Sequence, residues 1–312
     1  MSKDNFLRNS PMRRLRRLLV YYLYEFLFVL LQIIPEKCAY ALIKFLASLA
    51  YLLVGKQRKI VLRNLATGLP ELDERQRRLI AKQMYRHLAR NAVEFARFRK
   101  IRDSGRFEEL VKFIGREHLE KVVSLGKGAL VLTAHLGNWE LLAAKFVYDG
   151  HKVSVLARKA SYEKYESLLD GMRKIAGVDA VDRDNIREIL RRLQKGHFIG
   201  ILSDHDIPKL DGVFVNFLGK PAYTPTGIIK LSMKTGVPVL PVFIVRKRDG
   251  CHIINIEPPL DIVQTIDKKN DIIINTQRYT EIIEKYIRKY PDQWMWFHNR
   301  WKTKSDTKSP LV

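Results

Sequence analysis

The stretch Ala129-Leu130-Val131-Leu132-Thr133-Ala134-His135-Leu136-Gly137-Asn138-Trp139-Glu140-Leu141-Leu142-Ala143-Ala144 fixes how the rest of this chain is read. Its first six residues form a short, almost wholly apolar run, the pattern of a strand covered on both faces, and its last six are good helix formers. Gly137 and Asn138 interrupt the pattern between them, so a strand hands over to a helix. His135 then stands at the carboxyl edge of the strand, beside the free N–H groups of a helix start, where ligands of α/β sheets bind. Glu140 follows five positions later. Five residues along a helix rotate by roughly 140°, and an odd spacing along a strand places side chains on opposite faces. Only the junction can bring this pair together.

Outward from this junction, short apolar runs alternate with helical stretches after Gly115, which predicts an α/β domain with a mixed central β-sheet flanked by helices. Strands are expected at 129–134, 153–157, 198–202, 213–217, 239–246 and 253–256. Helices are expected at 139–148, 162–176, 186–194, 226–235 and 272–290. Upstream, Ile80, Met84, Leu88, Val93 and Phe95 fall near helical spacing among Arg and Lys, predicting a long basic amphipathic helix over 73–99 that roofs this domain.

The amino terminus has a different texture. Arg13-Arg14-Leu15-Arg16-Arg17 runs into an apolar segment ending at Ile34, interrupted by Glu25 and Gln32, and a second apolar stretch from Ala39 to Val54 ends at Lys56-Gln57-Arg58-Lys59. The first is at the lower length limit for crossing a bilayer, so a shallow helical hairpin in the interface is expected, its basic ends on anionic headgroups. A core hairpin packed on the domain is the alternative; a signal peptide fits poorly, because Glu36 and Lys37 flank the only cleavage-like site. The expected organisation is residues 1–60 as a membrane anchor, 61–305 as the α/β domain and 306–312 as a disordered tail. Across 312 residues, 56 Lys and Arg against 33 Asp and Glu give a net charge of +23, which favours an anionic partner. The two cysteines, Cys38 and Cys251, make neither a disulfide framework nor a zinc site.

A histidine at such a junction has one plain use. Its neutral imidazole takes a proton from a hydroxyl that attacks an activated acyl carbonyl, while a carboxylate orients the ring. The bland reading, a capping histidine and a first-turn acid favoured by the helix dipole, explains the residues equally well.

Beyond the junction, Thr133-Ala134-His135-Leu136-Gly137-Asn138-Trp139-Glu140 resembles the His-x4-(Asp/Glu) motif of the bacterial lipid A biosynthesis acyltransferase family, within the wider His-x4-Asp glycerolipid acyltransferase group. Ser203-Asp204-His205-Asp206, Gly212-Val213-Phe214-Val215-Asn216-Phe217-Leu218-Gly219, Thr224-Pro225-Thr226-Gly227 and Pro238-Val239-Leu240-Pro241-Val242-Phe243 match in order and spacing. Asn64-Leu65 with Leu69-Pro70, and Trp294 to Trp301, resemble the terminal blocks. The resemblance implies His135 as general base with Glu140 or Asp204 as its partner. It implies Arg173 as a substrate ligand, with Arg158 a second candidate, for phosphate or the acyl carbonyl oxygen. Asn138, Gly212, Phe214, Phe217 and Thr226 are candidates for binding substrate, with Phe214, Phe217, Gly219 and Thr224-Pro225-Thr226-Gly227 expected to form a wall of an acyl pocket. His298 and Arg300 are candidates for phosphate, and the tryptophans for a membrane-interface belt or a buried cluster.

The same resemblance implies acyl-acyl carrier protein as donor, with acyl-CoA the alternative, and a glycolipid acceptor at an anionic membrane surface. It places the enzyme at the inner membrane with its catalytic domain on the cytoplasmic face. No cofactor and no metal are expected, since the ligand set around Asp204-His205-Asp206 is incomplete. The rival classes are a nucleic-acid-binding protein, which the charge permits but no motif supports, and a lipid-binding protein without catalysis. Cell fractionation separates them. The chain is expected to pellet with membranes, whereas low-salt solubility with tight DNA retention would favour the nucleic-acid reading.

Overall fold

The computed structural model describes residues 11–157 and 163–304. Arg158 and the tail 306–312 lie outside these described residues. Nine strands are found among them: β1 Val111–Ile114, β2 Ala129–Thr133, β3 Val153–Ala157, β4 Asp179–Asp182, β5 Phe198–Leu202, β6 Gly212–Phe217, β7 Lys220–Pro225, β8 Val239–Arg246 and β9 His252–Ile256. Seven form the central sheet in the order β1-β9-β8-β2-β5-β3-β4, parallel except for the β8–β9 pair, while β6 and β7 form a separate antiparallel hairpin. The mixed α/β fold is therefore as expected.

Alternation along β2 sorts the core into two layers. Leu130 and Leu132 pack on one face of the sheet with Ile199, Val239 and Phe243, while Ala129 and Val131 pack on the other with Phe198, Leu240 and Val242. Twelve helices are described: α1 Pro11–Ile33, α2 Glu36–Leu53, α3 Gly55–Gly68, α4 Glu74–Ala96, α5 Phe98–Asp103, α6 Phe107–Leu110, α7 Arg116–Val123, α8 Trp139–Tyr148, α9 Glu163–Ile175, α10 Ile186–Gln194, α11 Gly227–Thr235 and α12 Lys268–Lys289. The first layer is covered by α3, α4, α10, α11 and α12, the second by α7 and α8. The expected long helix 73–99 begins at Glu74, with Asp73 and Gln76 forming a capping box, and breaks at Arg97 before α5.

At the amino terminus, α1 and α2 pack on α4 through Leu31, Ala39, Ile43, Val93 and Ala96. Arg97 donates to the carbonyls of Leu31 and Ile34, and Lys100 to that of Gln32, so cations of the domain cap the end of α1. Outward, Leu19, Leu23, Phe26, Phe45, Leu49 and Leu52 stay exposed. Among the described residues no single helix is long and apolar enough to cross a membrane; α2 and α3 pass that test only together and meet at 85°. Arg58 makes the bend by donating to the carbonyls of Tyr51 and Leu52. Helix α3 runs unbroken through the expected boundary at residue 60.

A buried polar knot ties α4 to the sheet. Glu94, 1% exposed, is hydrogen-bonded and ion-paired to Arg246 of β8, lies 3.1 Å from Nε2 of His252 of β9, and accepts from Nδ2 of Asn138 at 2.8 Å. Burial opposes its ionisation, but His252 and Arg246 outweigh that and hold the carboxyl down from 4.5 to about 2. A depressed pKa means stability that is present above the ordinary value and is lost as pH falls through about 2. Glu94→Gln is expected to cost roughly 3–5 kcal/mol in denaturant unfolding at neutral pH, the deficit shrinking between pH 4.5 and 2. A deficit independent of pH would contradict the assignment.

Candidate active site

Strands β2 and β5 are parallel neighbours in the register Thr133↔Leu202, and Ser203 N continues the ladder to the Thr133 carbonyl. His135 and Asp204 each stand two residues beyond those paired positions, so they meet at the carboxyl edge of the sheet. Nδ1 of His135 lies 2.9 Å from Oδ1 of Asp204, and the His135 backbone N–H donates to Oδ2 at 3.0 Å. Trp294 Nε1 donates to the same oxygen at 2.8 Å. Burial alone would raise the Asp204 carboxyl; the facing imidazole and these hydrogen bonds hold it well below the usual carboxylate range.

Glu140 does not join this pair. Its two oxygens accept from Nε and Nη2 of Arg173 at 3.1 and 2.7 Å, a bidentate pair in which both side chains are mostly buried. The structure thus sets Asp204 against His135 and Glu140 against Arg173, a division that the single-chain spacing left open. Arg173 lines a small recess with Glu140, Thr133 and Trp139.

The loop between β2 and α8 is clamped on several sides. Gly137 has φ 61° and lies so close to β8 that a Cβ would sit 2.0 Å from the Ile244 carbonyl oxygen. Its N–H donates to the Gln293 carbonyl and its carbonyl accepts from Asn91 of α4, while Met295 N–H donates to the His135 carbonyl. Asn138 caps α8 through Leu141 N–H and faces Glu94, so its side chain is a clamp. Asn91, Glu94 and Trp294 escaped notice as site residues in the sequence. The i, i+3 spacing of the first two on one helix face was the available signal.

His205 stacks between His135 and His298, with ring centroids 3.9 Å apart on each side and interplanar angles of 5° and 11°. Burial pushes its imidazole down to about 3, so the middle ring is neutral. His135, Asp204 and His205 are the one group among the described residues that could offer three metal ligands. The fit is poor, because imidazole lone pairs lie in the ring plane and two parallel planes share no point at bonding distance.

His135 and His205 open onto a cleft of about 670 Å³. Its walls are Ile186 and Ile189 of α10, Ile201 and Leu202 of β5, and Ile228 and Leu231 of α11, with Arg183, Lys230 and Lys234 also lining it. The β6 residues expected to wall an acyl pocket do not line this cleft. Phe217 packs in the core against Trp294, Trp301 and Arg300, and Phe214 lines a separate hollow with Ile273 and Ile274. Gly212 instead allows the close pairing of β6 with β7, where a Cβ would lie 2.6 Å from the Thr224 oxygen. Thr226 bonds back to the Asp211 carbonyl and starts α11, and its neighbours Pro225 and Gly227 do reach the cleft. Arg300 is fully buried on the Tyr223 carbonyl, and Trp294, Trp296 and Trp301 form a buried cluster, not an interfacial belt. Asn64 of α3 ties that cluster down by donating to the carbonyls of Trp296 and His298.

The family model for bacterial lipid A biosynthesis acyltransferases matches residues 8–303. The chain belongs to that family. It is an acyltransferase, 28% identical over 282 residues to the lipid A biosynthesis lauroyltransferase of Escherichia coli K12, covering 88% of each chain. It is 24% identical over 204 residues to a phosphatidylinositol mannoside acyltransferase of Mycolicibacterium smegmatis, covering 64% of this chain and 65% of that one. The crystal structure of the 1-acyl-sn-glycerophosphate acyltransferase PlsC from Thermotoga maritima aligns at 15% identity with a TM-score of 0.39, over 81% of this chain and 97% of that chain. Gly137→Ala is expected to displace the acyltransferase's His135 loop, lowering Tm by several degrees and kcat by about a hundredfold. Wild-type values in both measurements would show that the turn can relax.

Proposed function

We propose that this acyltransferase moves a fatty acyl chain from a thioester, acyl-acyl carrier protein with acyl-CoA as the alternative donor, to a hydroxyl of a lipid A precursor or related glycolipid. The observation that carries the reading is the His135–Asp204 pair at an apolar cleft. With the ionised Asp204 accepting from Nδ1, the imidazole keeps its lone pair on Nε2 for the acceptor hydroxyl. Nε2 takes the hydroxyl proton as the oxygen attacks the thioester carbonyl. The tetrahedral intermediate collapses with cleavage of the C–S bond, and the imidazolium returns the proton to the leaving thiolate.

The isoleucine and leucine walls suit a saturated chain, and the basic residues of the cleft suit an acidic carrier or the phosphates of CoA. The exposed apolar side chains of α1 and α2 support a shallow anchor on the cytoplasmic face of the inner membrane. Glu140 holds Arg173 in place. A second reading, another glycolipid as acceptor, draws on the phosphatidylinositol mannoside acyltransferase relative.

Purified protein is expected to transfer acyl groups from acyl-acyl carrier protein to a lipid A precursor. His135→Ala should lower kcat by at least about a thousandfold and Asp204→Asn by about a hundredfold or more, through loss of the tautomer. An active His135→Ala enzyme would sink the mechanism, and mass spectrometry of lipids from cells with and without the gene would show acceptor and chain length together.

A further inference from the structure

A second hollow, of about 470 Å³, lies where α2 meets α4, lined among others by Tyr40 and Lys44 of α2, by Arg86, His87 and Arg90 of α4, and by Asp292. Its internal charge pairing is incomplete. His87 lies 3.1 Å from Asp292, but among the described residues Lys44, Arg86 and Arg90 have no carboxylate within 4.0 Å. Three cations sharing one hollow repel one another unless an anion enters. The Arg90 guanidinium packs over the Tyr40 ring, 5.6 Å from its centroid, and a Cβ on Gly250 would lie 3.3 Å from its Nη2. The turn between β8 and β9 therefore comes close, carrying Lys247 and Arg248 beside Gly250 in sequence.

We propose that this hollow binds the phosphate group of a lipid headgroup. Paired arginines present planar forks of donors that match phosphate, and a lysine adds a point charge. The lipid origin follows from position. Lys44 sits on α2 beside the exposed Phe45, with Leu49 and Leu52 further along the same helix, so an occupant gripped here can keep its chains along that apolar face. The hollow is also joined to the catalytic loop. Arg90 adjoins Asn91, which holds the Gly137 carbonyl, and Asp292 adjoins Gln293, which holds the Gly137 N–H. Burial, and then the like charge of Arg246, push Arg90 down from its ordinary value, against the pull of the Glu94 carboxylate.

This inference rests on the membrane-facing reading of α1 and α2, and the test separates the two. In detergent, dihexanoyl phosphatidic acid is titrated against the full chain, against Lys44→Gln/Arg86→Gln/Arg90→Gln, and against a control of equal charge change, Lys121→Gln/Lys127→Gln/Lys174→Gln. The hollow variant is expected to bind at least about tenfold more weakly, with the control unchanged. Equal affinity in all three overturns the hollow without touching the membrane reading, and full competition by inorganic phosphate at equal concentration overturns the lipid origin. With phosphatidylcholine vesicles, failure of the wild type to bind, with or without phosphatidic acid, overturns the membrane reading and, with it, the lipid origin of the headgroup. In acyl-transfer kinetics, a raised KM for the phosphorylated acceptor in the hollow variant assigns the headgroup to the acceptor. A weakened vesicle affinity with unchanged KM assigns it to the surrounding bilayer.

Discussion

A carboxylate with no exposed surface cannot stay ionised unless donors surround it, and Asp204 organises the site around that requirement. It draws in the ring and the backbone N–H of His135 from one strand end and the indole of Trp294 from the carboxyl-terminal block. That block reaches Asp204 because Leu136 and Trp294 form a short bridge and Gln293 holds Gly137. The sheet and the carboxyl-terminal block are thereby committed to one small volume. His135 is left lining the cleft with its Nδ1 held by Asp204.

The second commitment is the knot around Glu94. Arg246 and His252 come from the antiparallel β8–β9 pair, Asn138 from the helix after His135, and Glu94 from α4. Such a set is weak evidence for net stability, since replacing it with apolar side chains can be neutral. Its value lies in uniqueness. The placement of α4 that lets Glu94 meet Arg246, His252 and Asn138 together also sets Asn91 under the loop and packs α1 and α2 on its other side.

Much of this was legible in the chain. The strand-to-helix break at Gly137-Asn138 and the buried strands β2, β5 and β8 announce themselves through apolar runs, because both faces of a parallel sheet are covered. The strands that went unread have local reasons. Val111–Ile114 and Asp179–Asp182 are four residues long at the sheet edges, where polar residues are tolerated, and Lys220–Pro225 carries two prolines, which a hairpin outside the main sheet can accommodate. β6 reads as a strand, but alternation does not say which sheet a strand joins, and its phenylalanines lie away from the cleft beside His135. Ile186, Ile189, Ile228 and Leu231 looked like ordinary helix faces because a cleft is a property of two helices together. The choice between Glu140 and Asp204 depended on pairing between strands remote in sequence.

That pairing has a consequence for how such chains can vary. His135 and Asp204 are 69 residues apart, yet they are brought level by the register of β2 with β5 and by two-residue steps beyond it. The units between them, β3 to α10, can lengthen, shorten or exchange loops without moving either side chain. A single inserted residue between Thr133 and His135, or between Leu202 and Asp204, would turn one partner away. Length is free where the connection is long and fixed where it is short.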